Sequence, residues 1–330
     1  MATRALVTGG AGFIGSHVAD LCLANGCEVT VLDNFSSGRR ENVPSAATLH
    51  EASVTEASSR ALVRDGNFDL VFHLAAQIDV RKSVADPVND ATNNVLGSLN
   101  LLEGAHDAKA NGGRAPRFIF ASTGGALYGD LVTPPNVETY LKNPESPYGV
   151  AKLSVELYMG YFARQQGLEC VALRYANVYG PRQDPHGEAG VVAIFCDRIL
   201  DGRPMTTFGD GSQTRDYVFV KDVARANWAA ANAKLPPVGD VDARAFNIGT
   251  GIETSVNDLA ADLKHVAGSD TPVERAPARA GELQRSSVSI DKARAVLGWT
   301  PQVTLRDGLR ETFEFFAARR GAPAAAGAAA

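Results

Sequence analysis

Residues 4–18 constrain the fold of this chain more than any other segment, because they join an apolar strand pattern, a glycine-rich turn and the start of a helix. Gly10, Gly12 and Gly15 match the G-x-G-x-x-G spacing, and with Gly9 as the first glycine a looser form of the same spacing also fits. One glycine allows the tight turn, Gly12 lets backbone N–H groups approach a pyrophosphate, and Gly15 lets the helix pack closely on its strand. The pyrophosphate then lies at the positive end of the helix dipole.

A carboxylate follows these glycines at the distance that a dinucleotide site requires. Residues 28–33 form a second apolar strand pattern that ends in Asp33, roughly twenty residues after the glycines. Asp33 can accept hydrogen bonds from the hydroxyls of an adenosine ribose, and its charge repels a 2′-phosphate. The sequence therefore predicts an NAD site and disfavours NADP. The alternative is a strand-turn-helix with an ordinary surface aspartate, which we disfavour because strand, turn, helix and acid occur together in register.

Composition and charge exclude several classes of protein. A length of 330 residues suits two domains or one large α/β unit. The net charge of -5 and the pI near 5.7 give no general attraction to nucleic acid or anionic lipid. The four cysteines are irregularly spaced, which favours a reducing, cytoplasmic setting with neither a disulfide framework nor a metal site. We expect no signal peptide, and no apolar run is long enough to span a membrane.

Strand and helix patterns alternate through the first half of the chain. Strands are predicted at 48–51, 69–75 and 117–122, and a helix at 87–108. The run 69–75 is almost continuously apolar, as in a strand buried on both faces of a parallel sheet, so His73 within it is predicted to be a packed core residue. The alternation predicts an α/β fold with a Rossmann-like, doubly wound parallel sheet and a ligand across the carboxyl ends of its strands.

The pattern of strands and helices divides the chain into two parts of different size and predicted function. We predict a cofactor-binding domain over residues 1–175, to which a strand and a helix return from about 210–250. Residues 176–320 alternate less regularly and are predicted to form mainly a smaller α/β lobe that binds substrate. Residues 321–330 are an Ala-rich, low-complexity tail that we expect to be flexible.

A tyrosine and a lysine follow the fifth predicted strand. Tyr148 and Lys152 open a helix, and their four-residue spacing places both on one helical face. Tyrosine has a reference pKa of about 10, which makes it a poor base at neutral pH. A neighbouring ammonium group and a positively charged nicotinamide both favour the phenolate and lower that pKa. Tyr148 is therefore a candidate general base that takes a proton from an alcohol as its hydride leaves.

Hydroxyl side chains end the fifth strand close to this helix in the sequence. Ser122 and Thr123 are placed for contact with a ligand at the carboxyl end of the sheet. On its own, a Tyr-x-x-x-Lys pattern usually marks an amphipathic helix face. Because it follows a dinucleotide motif and strand-end hydroxyls, we favour the catalytic interpretation here.

Together these residues resemble the extended short-chain dehydrogenase/reductase family and, within it, the bacterial UDP-glucose 4-epimerases. The resemblance covers nearly all of residues 3–318. It rests on motifs at 7–15, 72–76, 93–94, 122–126, 148–152, 174–182, 215–222, 247–251 and 297–299. These motifs are specific for nucleotide-sugar enzymes of the family and less specific for the individual reaction. The resemblance implies 4-epimerisation of a UDP-hexose through a transient 4-keto sugar, with NAD bound throughout.

The same resemblance assigns roles to individual residues. Tyr148 is the base, Lys152 binds the nicotinamide ribose, and Thr123 bridges the sugar O4 and Tyr148, with Ser122 as the alternative hydroxyl. The implied cofactor residues are Gly9, Gly12, Phe13, Ile14, Gly15, Asp33, Asn34, Phe35, Ser53, Val54, Leu74, Ala75, Ala76, Gln77, Asn93, Tyr148, Lys152 and Tyr175. The implied substrate residues are Thr123, Tyr148, Asn177, Val191, Val192, Phe208, Arg215, Arg279, Glu282 and Ser286.

Three features of the sequence, compared with the pattern of the family, narrow the reaction that the resemblance implies. Gly124 and Gly125 stand where relatives that dehydrate or decarboxylate the sugar carry an acid, which favours epimerisation. Arg215 and Arg279 are the implied diphosphate ligands, because a guanidinium group presents two parallel donors to phosphate oxygens. Ser286 stands where some relatives have a bulky tyrosine, so UDP-GlcNAc and UDP-GalNAc are expected as substrates beside UDP-glucose and UDP-galactose.

Other interpretations remain open at this level. One is a 4-epimerase for another sugar nucleotide such as UDP-glucuronate. Another, from a different class, is a protein that senses the dinucleotide without catalysis, although such proteins commonly lose the tyrosine or the lysine. The resemblance also implies a homodimer formed through helices near 87–108 and 148–166, whose apolar faces could equally belong to the core of one chain.

Overall fold

The fold is described for residues 2–185, 190–279 and 283–321 of a computed structural model. Its strands, in chain order, are β1 (Arg4–Thr8), β2 (Glu28–Asp33), β3 (Thr48–Glu51), β4 (Leu70–His73), β5 (Arg117–Thr123), β6 (Cys170–Tyr175), β7 (Asn177–Tyr179), β8 (Met205–Phe208), β9 (Thr214–Arg215), β10 (Tyr217–Phe219), β11 (Ala245–Ile248), β12 (Thr254–Ser255), β13 (Val273–Ala276) and β14 (Arg285–Ser286). Its α-helices are α1 (Phe13–Ala24), α2 (Ala57–Asp65), α3 (Val80–Ala85), α4 (Pro87–Ala91), α5 (Gly97–Ala110), α6 (Pro147–Gln166), α7 (Val191–Leu200), α8 (Val220–Asn232), α9 (Val256–Ala267) and α10 (Leu305–Gly321).

Seven parallel strands form the central sheet, in the order β11-β6-β5-β4-β1-β2-β3. β1 lies inside this sheet, where Arg4 is in register with Glu28 of β2 and Ala5 with Leu70 of β4. The strand order therefore reverses at β1, and the carboxyl ends of β1 and β4 open a crevice at this switch point. The predicted Rossmann-like parallel sheet is confirmed.

Helices cover both faces of this sheet. α1 and α8 pack on one face, where Val18 and Val223 are buried among the strand residues. α2, α5 and α6 pack on the other face, where Leu101 and Val155 are buried. Because the central strands are covered on both sides, their sequences are apolar without alternation, as the apolar run 69–75 predicted; the strand itself is Leu70–His73.

The helix predicted at 87–108 is interrupted. α4 is joined to α5 by one π-helical turn, Thr92–Leu96. An added Cβ at Gly97, where α5 begins, would lie only 2.6 Å from Cγ2 of Val54. α5 therefore starts in close contact with the segment that follows β3, and the π turn before it carries Asn94, which is 2% exposed.

The smaller lobe has a core of its own. α7, α9 and α10 bury Phe195, Leu259 and Leu309 beside the short strands β8 and β10. β12, β9 and β14 form a three-stranded sheet, and β13 pairs with β8. The chain then returns to the large sheet, because β11 pairs with β6 and sets Ala245 opposite Ala172. This return falls within the predicted 210–250 segment.

Membrane spans, metal clusters and cysteine pairing were predicted to be absent from this chain. Within the described ranges, no helix is both long enough and apolar enough to cross a lipid bilayer. Nor do three or more His, Cys, Asp or Glu side chains converge there in a way that could hold a metal ion. All four cysteines are free, buried thiols.

Candidate functional site

The glycine turn after β1 packs tightly against the end of β4. An added Cβ at Gly9, which has a φ of +69°, would lie 2.7 Å from the backbone nitrogen of Ala75. An added Cβ at Gly15 would lie 2.1 Å from the carbonyl oxygen of Gly9. Only glycine fits at either position, because both contacts are closer than a real Cβ can approach. The turn, the start of α1 and the end of β4 thus form one wall of the crevice. Leu74, Ala75 and Ala76 are half-buried along this wall.

Asp33 lies at the carboxyl end of β2 beside this turn, and only 7% of its surface is exposed. One carboxylate oxygen accepts the N–H of Ala11 at 2.9 Å, and the other accepts the N–H of Phe35 at 2.8 Å. Each oxygen keeps a second lone pair, which suits the two hydroxyls of a ribose. α1 begins after Gly12 with no side-chain cap among the described residues. Its first N–H groups therefore suit a phosphate, and the donor and acceptor set fits NAD.

The predicted adenosine residues follow β2 and β3. Asn34 accepts the N–H of Ser36 at 3.1 Å, and Phe35 has a φ of +56° with the guanidinium of Arg40 4.3 Å from its ring centroid. Ser53 is half-buried and Val54 is buried behind it. These residues form the end of the crevice that is nearest to β3.

A buried polar cluster lies beside the end of β4. Asn94 accepts the backbone N–H of Gln77 and donates to the Gln77 carbonyl oxygen and to Oδ1 of Asp90, all at 2.9 Å. The side-chain amide of Gln77 also donates to Oδ1 of Asp90 at 2.9 Å. Asn93, which the sequence placed at the cofactor, donates its amide to the carbonyl oxygen of Asn89 at 2.8 Å. Asp90 was not predicted, since nothing in the local pattern distinguishes it from a surface residue of a helix, and Asn94 was noted within the 93–94 motif but given no role.

The start of α6 positions the predicted base. The Ser146 hydroxyl accepts the N–H of Gly149 at 3.2 Å, and Pro147 occupies the first helical position. A serine cap followed by proline is the favoured way to begin a helix, so the first turn is fixed where Tyr148 stands. Tyr148 is half-buried there.

Lys152 lies one turn further along α6 and is 3% exposed. Its ammonium group donates to the carbonyl oxygen of Ala121 at 2.8 Å and lies 5.7 Å from the ring centroid of Tyr148. Burial lowers the pKa of Lys152 to about 8, and the negative charges of Asp90 and Glu156 oppose this shift. The predicted lysine is thus held against the end of β5 and next to the predicted base.

Ser122 and Thr123 point to opposite sides of β5, because successive strand residues alternate. The Ser122 hydroxyl donates to Oε1 of Glu156 at 2.5 Å beneath α6. The Thr123 hydroxyl accepts the N–H of Ala126 at 3.2 Å, and we find no acceptor for its proton among the described residues. This geometry favours Thr123 as the hydroxyl that meets a ligand and gives Ser122 a partner inside the protein.

Arg174 is entirely buried in β6, directly behind this strand end. Its guanidinium nitrogens lie 2.6–3.2 Å from the oxygens of Glu156, and Nη2 donates to Asp242 at 2.8 Å. Its Nη1 donates to the hydroxyl of Tyr128 at 3.1 Å. Neither Glu156 nor Asp242 was predicted to be a functional residue. A signal for them exists, since an arginine in the otherwise apolar run 170–175 requires buried acidic partners.

The smaller lobe places two of the predicted substrate residues side by side. β9 and β14 are parallel, and Ser286 is in register with Arg215. Ser286 is 6% exposed, and Nη1 of Arg215 donates to the carbonyl oxygens of Thr214 and Leu283, both at 2.8 Å. A larger side chain at position 286 would therefore compete for space directly beside the Arg215 strand.

The other predicted substrate residues lie on separate elements of the lobe. The guanidinium carbon of Arg279 lies 3.7 Å from the ring centroid of Phe208, a cation–π contact that fixes the arginine against β8. Val192 is buried in the lobe core and Val191 is half-buried beside it. Asn177 is exposed at the start of β7.

Some predictions fall on core residues or outside the described ranges. Tyr175 is buried, and its hydroxyl accepts the side-chain amide of Asn227 at 2.8 Å. His73 is a core residue, as predicted, with its ring nitrogens 2.7 Å from the Thr8 hydroxyl and 2.8 Å from the Ser98 hydroxyl. Glu282 and the tail beyond residue 321 lie outside the described residues.

One protein family matches most of the chain. Residues 5–249 match the family model of the NAD dependent epimerase/dehydratase family. The chain belongs to this family. It is 44% identical over 318 residues to a UDP-glucose 4-epimerase of Mycolicibacterium smegmatis, which covers 95% of this chain and 98% of that protein.

Two solved structures of the family superpose on the whole chain. A UDP-glucose 4-epimerase from Thermotoga maritima, determined with UDP-glucose, is 46% identical with a TM-score of 0.90 and covers 96% of this chain and 100% of that one. A UDP-glucose 4-epimerase from Thermus thermophilus, determined as a complex with NAD, is 42% identical with a TM-score of 0.87 and covers 97% of this chain and 100% of that one. The likeness therefore extends over both the seven-stranded sheet and the smaller lobe.

Proposed function

We propose that this chain catalyses the NAD-dependent 4-epimerisation of UDP-hexoses and interconverts UDP-glucose and UDP-galactose. The observation that carries the proposal is the junction of β5 and α6, where Lys152 is fixed beside the ring of Tyr148 and against the strand that ends in Thr123. Relatives that are 44% and 46% identical over most of the chain bear the name UDP-glucose 4-epimerase, which supports this activity.

Different residues of the crevice are proposed to bind the cofactor and the sugar nucleotide. The glycine turn, Asp33 and Lys152 would hold NAD, which when bound supplies a hydride acceptor that later returns the hydride. Arg215 and Arg279 are proposed to bind the diphosphate of the sugar nucleotide, because guanidinium groups pair with phosphate oxygens through two parallel donors. Binding by the diphosphate leaves the sugar ring able to present either face to the site.

Side chains of this protein carry out the proton transfer. As C4 is oxidised, Tyr148 accepts the O4 proton through the Thr123 hydroxyl. The ammonium of Lys152 stabilises the phenolate form of Tyr148 in the resting site. After the 4-keto sugar has turned, the same tyrosine returns the proton to O4, so no net redox change or proton release occurs.

The strand end also favours epimerisation over dehydration. Gly124 and Gly125 offer no acid for the removal of water. An added Cβ at Gly124 would lie 2.8 Å from Cγ1 of Val288 and 3.1 Å from the carbonyl oxygen of Arg174. An acidic side chain at position 124 would therefore require the Val288 side chain to move in this structure.

The proposed activity is tested by incubating the purified protein with UDP-galactose, without added reductant, and resolving the products by NMR. Formation of UDP-glucose without accumulation of NADH supports the proposal. Failure to epimerise UDP-galactose by protein that contains NAD overturns it. A parallel incubation with UDP-glucuronate identifies the alternative substrate class.

We propose further that N-acetylated sugars are accepted, because Ser286 is small beside the Arg215 strand. Ser286→Tyr is expected to lower UDP-GalNAc turnover at least about tenfold while UDP-galactose turnover stays within about twofold, since added bulk rejects only the larger substrate. Ser286→Ala is the matched control and keeps both activities. Wild-type protein that converts UDP-galactose but not UDP-GalNAc contradicts this extension.

We also propose a homodimer formed through an exposed apolar face of α6 and the neighbouring α4. Val150, Leu157 and Tyr161 are 47–55% exposed on α6, and Val88 is 74% exposed on α4. Large exposed apolar patches usually mark interaction surfaces, and the spacing of seven and four residues places the α6 members on one stripe.

The oligomeric state tests this surface. The double variant Val150→Glu with Leu157→Glu is expected to run as a monomer in light scattering coupled to size exclusion, because both charges would be buried at the interface. Val238→Glu introduces a charge at a 40% exposed apolar residue outside α4 and α6 and serves as the control, which stays dimeric. A monomeric wild-type protein contradicts the proposal.

A further inference from the structure

Two buried carboxylates act on the ammonium group of Lys152 from different helices. Glu156 lies one turn after Lys152 on α6, and Asp90 lies on α4, which packs against α6. Both residues are buried, and both charges favour the protonated form of Lys152. The two carboxylates differ in what else they contact.

The negative charge of Glu156 is compensated by Arg174. Its oxygens accept three hydrogen bonds from the guanidinium of Arg174 at 2.6–3.2 Å and one from Ser122 at 2.5 Å. A carboxylate in a bidentate pair with a buried arginine has its charge compensated by that arginine. Its effect on Lys152 is therefore that of an ion pair and not of a free negative charge.

Asp90 is not neutralised in this way. It is 1% exposed, and its Oδ1 accepts the amide groups of Gln77 and Asn94. Its Oδ2 is buried and has no hydrogen-bond partner among the described residues. A buried carboxylate with an unsatisfied oxygen is costly unless a nearby positive charge offsets it. Burial raises the pKa of Asp90, and the hydrogen bonds from Gln77 and Asn94 and the positive charge of Lys152 oppose this rise.

We propose that Asp90 is a positioning residue that acts through Lys152: its buried carboxylate keeps the lysine protonated and so sets the upper pH limit of the reaction. This inference deepens the proposed function and rests on it, because Lys152 is the group that supports Tyr148. Asp90 touches neither the substrate nor the cofactor in this proposal.

The remaining groups around Lys152 do not supply this charge. His73 lies on β4, and burial lowers its pKa to about 3, so it is neutral. The ring centroid of Tyr148 is 5.7 Å away on α6, and its oxygen is negative only in the base form that Lys152 itself stabilises; the carbonyl oxygen of Ala121 is uncharged. The charge of Asp90 raises the pKa of Lys152 against the effect of burial. Removal of that charge therefore lowers the pKa, and Lys152 loses its proton at a lower pH.

The first test is the pH profile of kcat for Asp90→Asn, which keeps the size and an acceptor oxygen of Asp90. If the pKa of Lys152 falls by about one unit, kcat is expected to fall about eightfold at about pH 8.5 and by less than about twofold at about pH 6.5. Asp86→Asn removes an exposed carboxylate at the cap of the same helix, and asparagine is an equally good cap. This control is expected to keep the wild-type profile.

The shape of the profile decides the outcome. A shift of the alkaline limb to lower pH in Asp90→Asn alone supports the proposal. A profile that superimposes on wild type, or one that is lowered equally at every pH, overturns it, because a purely structural defect scales activity uniformly. NAD content per chain is measured for each variant so that loss of cofactor is recognised.

A second test needs no activity. Asp90→Asn is expected to lower Tm in the wild-type background, where it leaves a buried ammonium without its counter-charge, and to raise Tm in a Lys152→Met background, where it removes an unpaired buried carboxylate. All four proteins are compared at one saturating NAD concentration. Equal Tm shifts in both backgrounds overturn the proposal. If the protein fails to epimerise any UDP-sugar but the shifts have opposite signs, the proposed function falls and the Asp90–Lys152 coupling stands.

Discussion

Replacement of Tyr148 by phenylalanine is expected to lower kcat for UDP-galactose by about 10²–10⁴-fold, because it removes the group that accepts the O4 proton. Phenylalanine keeps the ring that lies 5.7 Å from the Lys152 ammonium. The fold, the NAD content and the KM are therefore expected to stay close to those of the wild type. The measurement is product formation by NMR, with thermal unfolding and released NAD determined on the same preparation.

The control for this substitution is Tyr158→Phe on the same helix. Tyr158 is 44% exposed, and loss of its hydroxyl is expected to leave kcat unchanged. Retention of more than about a tenth of the wild-type kcat by Tyr148→Phe would be inconsistent with a general-base role, given the usual contribution of such a base. Full retention would also favour a protein that binds the dinucleotide without this chemistry.

Truncation of Glu156 to alanine is expected to destabilise the protein by about 3–5 kcal/mol, because it leaves the charge of Arg174 buried with only part of its partners. Arg174 is 0% exposed, and after the substitution Asp242 is its remaining acidic partner at 2.8 Å. Urea unfolding of purified wild type and variant measures the difference.

A surface pair provides the matched comparison. Glu103 forms an ion pair with Arg60, and its side chain is 50% exposed. Glu103→Ala is expected to cost about 0.2–1 kcal/mol, as exposed pairs usually do. If the two substitutions destabilise the protein equally, the buried network behind β5 does not have the stabilising role assigned to it.

Local chemistry explains why part of the site could be predicted from the sequence. The close contacts of Gly9 and Gly15 and the acceptor role of Asp33 are requirements of one short strand-turn-helix unit, so they leave a fixed spacing in the chain. The same holds for Tyr148 and Lys152, which a single helical turn brings together. In these cases the distance along the chain determines the distance in space.

Other parts depend on contacts between elements that are remote in the sequence. Ser122 meets Glu156 across 34 residues, and Arg174 meets Asp242 across 68. Spacing cannot show that Asp90 and Lys152 act on each other, because they approach only when α4 packs on α6. The sequence comes nearer to deciding between Ser122 and Thr123. Successive residues of a strand point to opposite sides of the sheet, so only one of the two hydroxyls can face the ligand.

The late return of the chain to its main sheet has a consequence for biosynthesis. β6 stays an open edge of the cofactor sheet until β11, at Ala245–Ile248, has been made and has crossed back from the other lobe. Unpaired edges invite intermolecular strand pairing. A nascent chain that has left the ribosome only as far as Tyr175 therefore carries all the predicted cofactor residues, but β6 is still an unpaired edge of its sheet. A fragment for fusion or complementation should extend beyond Ile248.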